Sequence, residues 1–96
     1  MDKTENIKRI REQIDLIDLE MLNLLSKRKD LVTEIVKFKS RDQIIDKKRI
    51  KLILDKLDLE AKKRGIPENL VRNLWEGMIK SFISYEEDIF ENEQKK

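Results

Sequence analysis

The feature that most constrains the fold is the run of residues 5–39, which contains neither glycine nor proline. Apolar side chains recur along it at alternating spacings of four and three residues, the pattern of an amphipathic helix with a heptad seam. The seam consists of Ile10, Ile14, Ile17, Met21, Leu24, Leu31, Ile35 and Phe38. Arg28 occupies the position at which the heptad pattern calls for one more apolar residue. We therefore predict a long first helix whose apolar stripe carries a cation.

Start and stop signals predict two further helices. After a short connection, Asp46 suits the N-cap of a helix over residues 47–63. Gly65 suits the left-handed residue that ends a helix, and Pro67 suits the first turn of the next one. The third helix is predicted over residues 67–90, and we expect the tail after it to fray. The abundance of Leu, Ile, Glu and Lys agrees with an all-α fold class.

The first helix is too long for a monomer of this size. At 1.5 Å per residue it spans about 50 Å, whereas a compact domain of 100 residues has a radius of gyration of about 13 Å. Its apolar stripe must therefore meet another chain, and closed symmetry favours a homodimer with intertwined long helices. We predict one domain over residues 1–96, with three helices per chain, in such a homodimer.

Composition excludes several classes of function. The 22 basic and 20 acidic residues are interspersed, so we expect no nucleic-acid partner. His and Cys are absent, which removes disulfides, the usual zinc ligands and histidine-based catalytic groups, so no metal site is expected. No apolar run approaches the roughly 20 residues of a membrane span, and we expect a cytoplasmic protein without a membrane partner. Any chemistry must come from Arg, Lys, Asp and Glu.

Three charged residues lie on predicted apolar faces. With residues placed at about 100° each around the helix, Arg28 is central in the first stripe and Lys39 falls about 20° from it. In the third helix, Glu86 is central among apolar residues that all lie within about 60° of it. These are Trp75, Ile79, Phe82, Ile83, Ile89 and Phe90. Burying a lone charge costs several kcal/mol, so each of the three must pair with a protein group or a ligand.

Structural explanations for these charges stay open. Arg28 could fix the register of a dimer seam, Lys39 could complement a helix dipole, and Glu86 could neutralise Arg28. Arg11 and Arg49, at the edges of their stripes, could extend into solvent. Taken together, cations and one acid converging in a helical core would form a small pocket for a polyanionic organic molecule, which points to a di-acid substrate.

Three segments together resemble a known family. They are "IREQIDLIDLEMLNLLSKRKDLVTEIVKFK", "DKKRIKLIL" and "GIPENLVRNLWEGMIKSFISYEEDIF", which cover nearly the whole chain. They resemble the all-α chorismate mutases and the related isochorismate pyruvate lyases. The resemblance implies three helices per chain, an interlocked homodimer, two equivalent pockets and no cofactor.

The resemblance also implies roles for individual residues. Arg28 would hold one substrate carboxylate, Arg11 of the partner chain would hold the second, and Arg49 would assist. Lys39 would face the ether oxygen of the enolpyruvyl group, together with a protonated Glu86 that stands where many members have glutamine. Lys39 and Glu86 are therefore the expected catalytic residues.

Asp46, Ile50 and Phe82 complete the implied substrate-binding set. Ile50 stands where chorismate mutases often carry a glutamate, and Phe82 stands where a small hydroxyl residue is common. The function implied first is a chorismate mutase, which rearranges chorismate to prephenate for phenylalanine and tyrosine biosynthesis. The apolar Ile50 resembles the pyruvate lyases, which form salicylate and pyruvate, and that activity is the alternative. A non-catalytic helical dimer that acts as an interaction or regulatory protein is the alternative of another class.

Overall fold

The computed structural model describes residues 2–94 and contains three α-helices. They are α1 (Lys3–Val36), α2 (Lys47–Lys63) and α3 (Glu68–Gln94), with a short 3-10 helix (Arg41–Gln43) between the first two. No strand occurs within residues 2–94, so the predicted all-α fold class is confirmed. None of the described helices is apolar over a length that could cross a membrane.

The chain divides into two units, one up to Leu31 and one from Val32 onwards. The first unit belongs to α1, and the apolar side chains of its predicted seam are each about half exposed or more. These are Ile10, Ile14, Ile17, Met21, Leu24 and Leu31. An exposed apolar stripe of this length is a surface for another chain, and the homodimer stays a prediction.

The second unit has its core where α2 packs against α3. The buried apolar side chains of the described chain all belong to this unit, namely Val36, Ile44, Leu54, Ala61, Val71 and Ile79. An ion pair also joins the two helices, with 3.6 Å between Arg72 Nη1 and Asp58 Oδ2. The buried positions of α3 recur every seven or eight residues, which places them on one face of that helix.

Helix α1 ends three residues earlier than predicted. After Val36 the backbone tightens, and the N–H groups of Lys37, Phe38 and Lys39 bond to carbonyls three residues before them. Ser40 then opens the 3-10 helix, and its N–H donates to the Gln43 side chain at 2.9 Å. Lys39 therefore lies outside α1, and the helical projection that placed it on one face with Arg28 is wrong.

Both predicted boundaries of α2 are confirmed. The Asp46 carboxylate caps the helix by accepting from the backbone N–H of Arg49 at 3.0 Å. At the other end Gly65 has a φ of 66°, and the N–H of Ile66 donates to the carbonyl of Ala61 at 2.9 Å. This hydrogen bond closes the turn after the helix, and glycine is favoured there because a left-handed conformation strains other residues.

Helix α3 begins one residue after Pro67 and runs to Gln94. The predicted fraying after residue 90 is therefore wrong for residues 91–94, while Lys95 and Lys96 lie outside the described residues. Helix α3 therefore extends about one turn beyond its predicted end, through the polar residues 91–94.

Candidate active site

The site centres on an ion pair between Lys39 and Glu86. Lys39 Nζ donates to Glu86 Oε1 at 2.8 Å and joins the segment after α1 to α3. Glu86 is 6% exposed and is the buried charged residue of the described chain, while the Lys39 side chain is 22% exposed. The sequence predicted that each of these charges needs a partner, and for this pair the prediction is confirmed.

The position of Glu86 follows from the register of α3. Glu86 follows the buried residue Ile79 by seven residues and Val71 by fifteen, so all three lie on the buried face of the helix. Glu86 therefore lies on the buried face of α3, as the spacing predicted. Without a cation such burial would cost several kcal/mol, and the Lys39 ammonium offsets this cost.

The position of Lys39 follows from the end of α1. Its backbone N–H donates to the Val36 carbonyl at 3.1 Å, and Val36 is buried at 2% exposure. This hydrogen bond ties the backbone of Lys39 to a fixed core residue. The long side chain can then reach Glu86 while part of it remains in contact with solvent.

Three further contacts involve residues near Lys39 or Glu86 in sequence, and the sequence predicted none of them. The hydroxyl oxygens of Thr33 and Tyr85 are 2.7 Å apart in a hydrogen bond that is partly buried. The rings of Phe82 and Tyr85 meet edge to face with their centroids 6.3 Å apart. The guanidinium of Arg41 lies 5.3 Å from the centroid of the Phe90 ring.

These missed contacts left only a weak signal in the sequence. Tyr85 directly precedes Glu86 and shares its turn of α3 with Phe82. A tyrosine that is partly buried usually finds a hydrogen-bond partner for its hydroxyl, which is the property that could have marked it. The sequence does not identify Thr33 as that partner, because the contact depends on how the end of α1 packs against α3.

The other predicted substrate-binding residues occupy both units. In the second unit Asp46 and Arg49 are exposed at the start of α2, and Ile50 and Phe82 are half-buried. In the first unit Arg11 is exposed and Arg28 is half-buried. The structure thus brings Lys39 and Glu86 into contact, and the convergence of the remaining residues on one substrate stays a prediction.

The ion pair can act as a hydrogen-bonding group for a ligand. An ammonium has three N–H donors, and Lys39 uses one of them on Glu86. The remaining donors and the second carboxyl oxygen of Glu86 can meet a polar atom of a bound molecule. Within residues 2–94, no group of three or more His, Cys, Asp or Glu side chains is arranged to hold a metal ion.

The helical fold and a partly buried Lys–Glu pair, in a chain without His or Cys, define a class of small all-α proteins whose site is built from ammonium and carboxyl groups. Residues 10–87 match the chorismate mutase type II family, and the chain belongs to this family. It is also similar to the 4-amino-4-deoxychorismate mutase of Streptomyces venezuelae. The two are 25% identical over 95 residues, which cover 97% of this chain and 92% of that protein.

We expect the ion pair to be replaceable by apolar residues with little loss of stability. Lys39→Met leaves the buried carboxylate without its cation and should lower the free energy of unfolding by about 2 kcal/mol, less than for a fully buried pair because Lys39 is partly exposed. The double variant Lys39→Met/Glu86→Leu removes both charges and should recover to within about 1 kcal/mol of the parent.

Urea denaturation of the parent and both variants at one protein concentration measures these differences. A double variant that is as unstable as Lys39→Met would show that the carboxylate is not the source of the loss. A Lys39→Met variant as stable as the parent would show that the buried carboxylate does not need the Lys39 cation.

Proposed function

We propose that the protein is a chorismate mutase that converts chorismate to prephenate in the cytoplasm, for phenylalanine and tyrosine biosynthesis. The observation that carries the proposal is the Lys39–Glu86 pair, found in a chain of the chorismate mutase type II family. The pair offers hydrogen-bond donors at a partly buried point, which suits an ether oxygen that gains negative charge.

In this proposal two arginines hold the two carboxylates of the substrate. Arg28 binds one of them, Arg11 of the partner chain binds the other, and Arg49 assists. Guanidinium groups suit this role because they bind carboxylates through two parallel hydrogen bonds. The exposed apolar stripe of α1 supports the homodimer that such a shared site needs.

The reaction is one concerted step. The C–O bond of the enolpyruvyl ether breaks while a C–C bond to the ring forms, so the protein supplies neither a nucleophile nor a base. Two tasks remain for it: holding the compact conformer of the substrate and stabilising the charge that develops on the ether oxygen. The arginines perform the first task, and Lys39 with Glu86 performs the second.

In this proposal Glu86 is the acceptor that holds the Lys39 ammonium, with 2.8 Å between its Oε1 and Lys39 Nζ. The remaining N–H groups of Lys39 are directed by this contact and supply the hydrogen bonds to the ether oxygen. The protonated Glu86 that the resemblance implies stays a prediction.

A panel of three di-acids tests the assignment of the substrate. Ile50 is apolar and half-buried, which favours isochorismate as the second candidate, and the Streptomyces relative adds 4-amino-4-deoxychorismate. We expect prephenate from chorismate to form with the highest kcat/KM of the three. Arg28→Ala serves as the control for background reaction.

Three results of this panel would contradict the proposal. Salicylate formation without prephenate would identify a pyruvate lyase. A higher kcat/KM for 4-amino-4-deoxychorismate than for chorismate would identify a 4-amino-4-deoxychorismate mutase. A parent protein that turns over none of the three, and whose Tm does not rise with any of them, would be a non-catalytic helical dimer. A true site gains about 2.7 kcal/mol at a ligand concentration of a hundred times Kd.

Mixed dimers test the shared site. Arg11→Ala and Arg28→Ala homodimers should each lose activity by about a hundredfold, since a charge-assisted contact to the substrate is lost. After the two proteins are unfolded and refolded together, each heterodimer has one site with both arginines and one with neither. With random pairing, activity should return to about a quarter of the parent level.

The matched control mixes Arg28→Ala with Glu86→Ala. In the proposal both residues serve the site of their own chain, so no site in this heterodimer would be complete and activity should stay low. Recovery in the control, or its absence in the Arg11 mixture, would contradict the donation of Arg11 across a dimer interface.

A further inference from the structure

A second polar contact joins the same two parts of the fold as the ion pair. Thr33 and Tyr85 share a hydrogen bond of 2.7 Å, and it links the end of α1 to α3. Tyr85 is adjacent in sequence to Glu86, and Thr33 lies about one turn of α1 before Val36, the residue to which the backbone of Lys39 is bonded.

The geometry of α3 explains why the hydrogen bond of Tyr85 affects the position of Glu86. Successive residues on a helix point about 100° apart, so Tyr85 and Glu86 leave the same turn in different directions. With Tyr85 bonded to α1 and Glu86 bonded to Lys39, the rotation of α3 about its axis is fixed at two points. The Phe82 ring, packed edge to face against Tyr85, limits the tyrosine ring further.

We propose that Thr33 and Tyr85 are positioning residues of the active site. Their hydrogen bond holds α3 against the end of α1 at the separation at which Glu86 Oε1 meets Lys39 Nζ. Neither hydroxyl needs to contact the substrate, because both act through the ion pair. This inference rests on the proposed function, since it assigns the pair to the ether oxygen.

Tyr85→Phe tests the role of the hydroxyl, because it keeps the ring that packs against Phe82. We expect kcat to fall by about tenfold, since small displacements of catalytic groups carry large rate penalties. KM should change less than about twofold, because the arginines that bind the carboxylates are unaffected. The control is Ser84→Ala, which removes a neighbouring exposed hydroxyl of α3 and should leave both constants unchanged.

Variants of Thr33 separate positioning from general destabilisation. Thr33→Val should reproduce the loss in kcat, Thr33→Ser should restore it, and the double variant Thr33→Val/Tyr85→Phe should be no slower than either single variant. Losses that multiply in the double variant, or that appear in KM instead of kcat, would overturn the proposal.

An NMR measurement that needs no substrate tests the positioning role independently of the proposed function. In ¹⁵N-lysine NMR spectra, the ammonium hydrogens of Lys39 should exchange slowly in the parent and in Ser84→Ala, and they should exchange fast in Tyr85→Phe. A parent that turns over no di-acid would overturn the proposed function alone. Tyr85→Phe with the kcat of the parent and an unchanged Lys39 signal would overturn the positioning role of Tyr85.

Discussion

The ion pair between Lys39 and Glu86 is the interaction on which the rest of the site depends. It is formed at a buried position of α3, where Glu86 is 6% exposed. Burying two charges costs free energy that their attraction only roughly offsets, so an apolar pair of similar size would stabilise the fold as well. In the proposed function the two charges therefore serve the substrate, not the stability of the fold.

Several local features of the fold bring the pair together, and only some of them can be predicted from the sequence. The spacing of Val71, Ile79 and Glu86 places the acid on the buried face of α3, and Asp46 and Gly65 mark both ends of α2. These were predictable because each is set by residues close in sequence. The end of α1 was not, because no glycine or proline marks it and the signal is only a weak capping pattern after Val36.

The tertiary contacts around the pair were beyond prediction for a different reason. The partners in the Thr33–Tyr85 and Arg41–Phe90 contacts are about fifty residues apart, and each contact depends on how the helices pack.

Family membership and the residue types of the site both favour the proposed rearrangement. A concerted rearrangement asks a protein for positioning and charge stabilisation, and in the proposed mechanism Arg, Lys and Glu supply both without His or Cys.

The most direct test of this account is the chorismate turnover of the Lys39→Met/Glu86→Leu variant, whose apolar pair should leave the fold intact. The matched control is Lys51→Met/Asp55→Leu, which removes the exposed ion pair of 2.6 Å on α2. The control should keep the parent's kcat/KM, whereas the Lys39→Met/Glu86→Leu variant should lose about a thousandfold or more in kcat/KM while its free energy of unfolding stays within about 1 kcal/mol of the parent's. Turnover of this variant within a few-fold of the parent would contradict the catalytic role of the pair.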